Sequence, residues 1–240
     1  ESKRLEEYAQ KLPQWQKALP VPAEYKIPVP QMDTPLIVCD ALYYAGHCNA
    51  GPKNTTLTLP NDQHVRGETG SRNIQIRNVM EAKFHEILKP IAQILIHPDQ
   101  AHLVRFDSFF HLTTLHEMAA SLGLTHTISG NREVRDALRE NAAPIDAATT
   151  DLLSLFLIME LHRAGEFSET QLHSALVTST ASILRSARFG RAGTRGIADM
   201  MRFNHFLRTG AIDRCEDTGS YRVNYDMMQE SVREAVEQLI

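Results

Sequence analysis

The amino-acid sequence predicts a mainly α fold (α+β), one helix-dominated domain with a small sheet. Three observations carry that expectation. Apolar residues recur at helical spacing along most of the chain after Val79. Residues 145–164 are so rich in Leu, Ile and Phe that a helix there belongs at the centre of a core. Alternating segments are short and few, which leaves room only for a minor, broken sheet. The 240 residues suffice for a substantial core, and neither an internal repeat nor a linker divides them.

Taken in order, residues 1–35 read as a short amphipathic helix and a proline-rich lead-in. Pro20, Pro22, Pro28, Pro30 and Pro35 favour an extended strap lying on the body formed by residues 36–240. Leu36–Cys39 is an apolar run suited to a buried strand. Residues 55–59 alternate and stop at Pro60-Asn61-Asp62, a turn signal. Residues 73–77 alternate again, with Ile74 and Ile76 on one face. From Val79 the period lengthens: Phe84, Ile87, Leu88, Ile91, Ile94 and Leu95 share a helix face, which Pro90 is placed to kink. A second helix covers about 107–121, and a turn with a short helix covers 131–141. After the apolar helix 145–164, Ser168-x-x-Gln171 is a capping-box signal for a helix reaching about Arg188. The next helix, about 196–209, stops at Gly210. Thr218-Gly219 precedes the alternating residues 221–225, and a polar helix ends the chain.

Composition excludes several classes of function. Twenty-five basic against 29 acidic residues leave a net charge of −4, which argues against bulk affinity for nucleic acid. No apolar run approaches bilayer-spanning length, and the charged opening ESKRLEEYAQ is unlike a signal peptide, so no membrane partner is expected. The chain opens without methionine, as a trimmed or processed chain does. Cys39, Cys48 and Cys215 form no C-x-x-C pair and cannot all pair within one chain. A reduced, cytoplasmic setting fits them best.

The chemistry concentrates in LHEMAASLGLTH, residues 115–126. In H-E-x-x-H, residues four apart share a helix face, so two imidazoles hold one zinc while the glutamate polarises the bound water. His116 and Glu117 occupy the first two positions; Ala120 stands where the second imidazole would be. Gly123 and His126 extend the match to the longer metzincin pattern, in which only that middle ligand is missing. Two ligands make a weak site, and a core-facing His116 with His126 on a loop is the plainer reading. His111, five residues before His116, is rotated off its face. His162, His173 and His205 fall on separate helices. Arg185, Arg188, Arg191, Arg195, Arg202 and Arg208 crowd one segment. They form either an anion pocket for a carboxylate or phosphate or, the commoner use, a solvated helix face with carboxylate partners.

The stretches ALYYAGHCNAGPKNTTLTLPND, RNVMEAKFHEILKPIA, FDSFFHLTTLHEMAASLG, ILRSARFG and MMRFNHFLRTGAI resemble, in this order, the catalytic half of dipeptidyl-peptidase-III-like zinc metallopeptidases. They are most similar to the shorter homologues that carry Nudix or metal-dependent-hydrolase names. The resemblance covers about residues 35–230 and implies a zincin-like, mainly helical catalytic region with a small sheet. It also implies where zinc chemistry would sit, and three of those positions depart. The family's His-Glu-x-x-His-Gly-Leu-Gly appears as residues 116–123 with Ala120 for the second ligand. Its Glu-Glu-x-x-Ala-Asp appears as residues 146–151, with Ala147 for the third ligand and Asp151 kept. Its Ala-His-Gly, whose histidine is expected to stabilise the transition state, appears as Thr194-Arg195-Gly196. Asn61, Asp62, Arg185, Arg188 and Asn204 still match.

Three departures together imply loss of the zinc site and of metal peptidase chemistry, with no cofactor in its place. The expected function is a repurposed, metal-independent enzyme holding a small organic molecule in the former cleft, for an isomerisation, cyclisation, elimination or pericyclic step. Specialised metabolism is a sensible setting for such a reaction. His116 and Glu117 are the acid–base candidates, with Arg195 holding an anionic or carbonyl oxygen. Tyr43, Tyr44, His111, Asp151, Arg188 and Asn204 are the candidate substrate-binding residues. The alternative is a non-catalytic pseudopeptidase that binds a peptide or protein partner; a weaker one is residual metal-dependent hydrolysis.

Overall fold

A computed structural model of the chain describes residues 2–26, 36–51, 53–59, 72–124, 126–130, 132–187 and 189–240. The strap prolines Pro28, Pro30 and Pro35, the Pro60-Asn61-Asp62 turn and Arg188 lie outside the described residues. Helix α1 (Ser2–Ala18) is followed by strands β1 (Leu36–Cys39), β2 (Thr56–Leu59) and β3 (Arg72–Ile76). Next come α2 (Arg77–Lys83), α3 (Lys89–Leu95), α4 (Pro98–Ala101), α5 (Phe106–Ala119) and α6 (Val134–Leu138). The long helices are α7 (Ala142–Arg163), α8 (Glu169–Ala187) and α9 (Thr194–Arg208). A hairpin, β4 (Ile212–Arg214) and β5 (Tyr221–Val223), leads into the final helix α10 (Tyr225–Leu239).

Helix α7 is the axis of the fold. Residues 150–161 are buried without a break, so no face of this segment is left to solvent. The sequence therefore holds a helix long and apolar enough to cross a membrane, contrary to the reading that no run approaches that length. Here its apolar surface is spent on other helices: α5, α8, α9 and α10 all pack against it. Each fully buried Leu or Ile on it contributes about 1.5–3 kcal/mol of transfer free energy. Helix α1 joins the same core through Tyr8, Leu12, Trp15 and Leu19, a stripe at helical spacing whose members are at most 3% exposed.

Local signals explain several boundaries. Ser168 and Gln171 form the reciprocal capping box: Ser168 Oγ accepts from Gln171 N–H at 3.3 Å, and Gln171 Oε1 accepts from Ser168 N–H at 2.9 Å. Asn224 caps α10 by accepting from Met227 N–H. The kink assigned to Pro90 takes the form of a π-turn. Phe84–Leu88 is wound as π-helix between α2 and α3, with Lys89 N–H bonded to Phe84 O. Proline lacks the N–H that a regular α ladder would use here, and the wider turn reroutes the bonds one residue earlier.

The first sheet has the order β1-β3-β2, with β1 parallel and β2 antiparallel to β3. Gln75 on the central strand is fully buried, and its Oε1 accepts a hydrogen bond from Thr114 on α5 at 2.9 Å. That bond docks the sheet on α5 two residues before His116.

A candidate acid–base site on three helices

His116, near the C-terminal end of α5, points across to Asp151 on α7. The His116 Nδ1 to Asp151 Oδ1 distance is 2.8 Å. Helix α9 lies on the other side of Asp151 and delivers Arg195, Asp199 and Arg202 at i, i+4 and i+7, a spacing that keeps all three on one helix face. Arg195 and Arg202 each place a guanidinium nitrogen 2.9 Å from Asp151 Oδ2. Arg202 also pairs with Asp199 Oδ1, and Arg195 Nε is 3.7 Å from Asp199 Oδ2. Asp151, Asp199 and Arg202 are buried, whereas the side chains of Arg195 and His116 are 54% and 30% exposed. The arrangement is thus a buried charge network with two members reaching the surface.

Its electrostatics follow from burial and pairing. Burial alone would raise the Asp151 carboxyl. The Arg202 guanidinium, the hydrogen bond from His116 and the Arg195 charge outweigh it, holding the group well below the usual carboxylate range. Asp151 is therefore an anion that accepts the Nδ1 proton of His116. Neighbouring Glu117 behaves oppositely. Burial pushes its carboxyl up, only partly opposed by His116.

Gly196 sets where Arg195 sits. A Cβ at this position would lie 1.9 Å from the Gly190 carbonyl oxygen, so only glycine lets the preceding turn fold onto the start of α9.

The remaining sequence candidates do not converge on this network. His111 Nδ1 bonds to Asp107 O at 2.7 Å and its ring meets Phe167 edge-on, on a different face of α5. Tyr43 is 83% exposed. Tyr44 takes the Lys53 ammonium over its ring, 4.8 Å from the centroid, in a loop that Asn78 pins through Ala41. Asn204 lines a separate cavity against α10. His126 is on an exposed loop, bridged by its backbone to Glu133. Arg188 lies outside the described residues. Sequence reasoning missed Asp199 altogether and took Arg202 only as one of an arginine cluster. The signal for both was their spacing from Arg195 on a helix that also had to bury one side.

The helices, their small mixed sheet and the His-Glu pair on α5 form the zincin-like helical region of a dipeptidyl-peptidase-III-like fold. Two solved structures show this directly. Dipeptidyl-peptidase III from Caldithrix abyssi superposes with a TM-score of 0.91 at 29% identity, over 99% of this chain and 46% of that one. The enzyme of the same name from Corallococcus sp. strain EGB gives 0.86 at 31% identity, over 99% of this chain and 44% of that one. Nudix hydrolase 3 of Arabidopsis thaliana is 33% identical over 201 residues, 82% of this chain and 26% of the relative. The chain thus spans about a quarter of that curated relative and less than half of either solved structure. No family model matches it.

Proposed function

We propose that this chain is a metal-independent acid–base enzyme that acts on a small organic molecule held against the α5–α7–α9 face. The observation that carries the reading is the 2.8 Å contact between His116 Nδ1 and the buried, ionised Asp151. A carboxylate in that position fixes the imidazole tautomer, holds the ring still and stabilises the imidazolium formed when Nε2 takes a proton. Glu117 supplies a second, more easily protonated carboxyl on the same helix turn. Arg195, half in solvent, is placed to receive an oxygen that becomes negative as the proton leaves. Proton abstraction, isomerisation or elimination needs no more than these groups and a bound substrate.

The residues around His116 do not fit zinc, the metal implied by the fold. Ala120 and Ala147 carry no donor atom. The nearest acid, Asp151, has Oδ1 committed to His116 and Oδ2 to two guanidiniums, whose charges oppose a cation. Among the described residues, no three His, Cys, Asp or Glu side chains converge as a metal site requires.

The test is deuterium uptake in heavy water by a panel of enolisable oxo-acids, followed by proton NMR with a chelator present. Exchange above the buffer rate with at least one compound, abolished in His116→Ala and slowed in Arg195→Ala, supports the reading. Exchange that is absent throughout, or equal in both variants, contradicts it.

A second reading, peptide binding without catalysis, is favoured by one observation. Among the described strands β1 pairs only with β3, and Ile37 on it and Leu42 and Tyr43 just beyond its end are exposed. An extended peptide could add there as a further strand. Saturable binding of a fluorescent peptide library by a chain with no exchange activity would favour this reading over the first.

A further inference from the structure

A cavity of about 320 Å³ lies between α7, α9 and α10, at the lower end of the range for small-molecule sites. Ala148, Leu152, Met201, Ala235 and Leu239 give it apolar walls. Two arginines, Arg202 and Arg208, also line it, and none of its lining residues is an acid. Arg202 is only 5% exposed. One terminal nitrogen, Nη2, meets both Asp151 and Asp199, and its Nε–H is buried without a hydrogen-bond partner. Buried donors are almost always satisfied, so an orphan N–H beside a cavity marks a place for an acceptor.

Arg208 supplies the charge. Its terminal nitrogen meets Nδ1 of His205 at 3.1 Å, while His205 Nε2 is 3.0 Å from the Ser231 carbonyl. Nε2 donates to that carbonyl, which leaves Nδ1 to accept from Arg208. The guanidinium is thus held by a ring nitrogen rather than by a carboxylate, which leaves its positive charge for an incoming anion. Six residues separate the two arginines on α9, a rise of roughly 9 Å. A ligand that meets both needs a negative head and an apolar body of several carbons.

We propose that this cavity is a binding site for a small amphipathic carboxylate. Its head group pairs with Arg208 and its hydrocarbon body lies on Ala148, Leu152, Ala235 and Leu239; where the ligand carries a further oxygen, Arg202 Nε–H donates to it. The site is distinct from the acid–base reading of His116 and does not depend on it. The two share only Arg202, through its contact with Asp151.

Calorimetric titration of the 240-residue chain with octanoate, and with octanol as the uncharged control, tests the proposal. The expected result is one octanoate per chain, bound about tenfold more tightly than octanol. Arg208→Gln should bring octanoate down to the affinity of octanol and leave octanol unchanged. Ala235→Leu, which fills the cavity, should abolish both while a thermal melt confirms that the chain is folded. Equal affinity for the two probes, octanoate binding insensitive to Arg208→Gln, or no binding of either by the unmodified chain would overturn it.

Discussion

Arg202 and Asp151 are both buried, and their charged atoms meet at 2.9 Å in the middle of the helix bundle. The contact ties α9 to α7 and fixes the carboxylate that in turn holds His116. Stability and the candidate chemistry consequently depend on the same carboxylate.

Asp151→Asn removes the negative charge that two guanidiniums face. Breaking one side of a buried ion pair leaves its partners uncompensated, and the loss should be on the order of 3 kcal/mol. Urea denaturation of the variant should show a lower midpoint with an unchanged slope. A midpoint equal to that of the parent chain would mean that the pairing contributes nothing.

The same residue sets an acid limit. Its folded-state pKa is depressed below the unfolded value of about 3.9. The stability it contributes is complete above that value and is lost as pH falls from about 4 toward the folded pKa. Melting temperatures measured between pH 7 and pH 2 should fall below pH 4 in the parent chain. The fall should be shallower in Asp151→Asn.

Glu117 should give the opposite sign. Its folded pKa is raised above the ordinary value, about 4.3, because burial disfavours the anion. Its contribution is therefore favourable at low pH and is lost as pH rises through the folded value. Glu117→Gln should raise the melting temperature at pH 7 and leave it unchanged at pH 4. A variant less stable at pH 7 would show that the carboxylate makes a contact that offsets its burial.

Gly196→Ala places a methyl group against the Gly190 carbonyl, which neither backbone can vacate cheaply. A cost of about 1–3 kcal/mol is expected, with weaker activity through a displaced Arg195. Thermal melts alongside the exchange assay measure both effects.

The helices were legible because their signals are local. The 3.6 period marked the helical course over α2 and α3, the run of Leu and Ile marked α7, and Ser168 with Gln171 marked the start of α8. The His116–Glu117 pair was legible as a motif. Its environment was less so. Asp151 was singled out by position in the resemblance and expected to line substrate, yet it lies at the hub of a buried network. Arg202 could be read as one of six arginines on a solvated face. Only the packing of α9 against α7 shows that it turns inward. An apolar helix such as α7 carries no periodicity to say which neighbour each face meets, so the encounter of residues 116, 151 and 202 was invisible along the chain. The π-turn before Pro90 shows the same limit: proline marks that a helix is disturbed, but not how the ladder recovers.

Proton transfer at His116 is proposed to proceed without a metal. The most direct measurement is zinc content by elemental mass spectrometry on untagged protein, after incubation with excess zinc and dialysis. Far less than one zinc per chain is expected, equal in the parent and in His116→Ala. One zinc per chain, retained through dialysis and lost in His116→Ala, would contradict it.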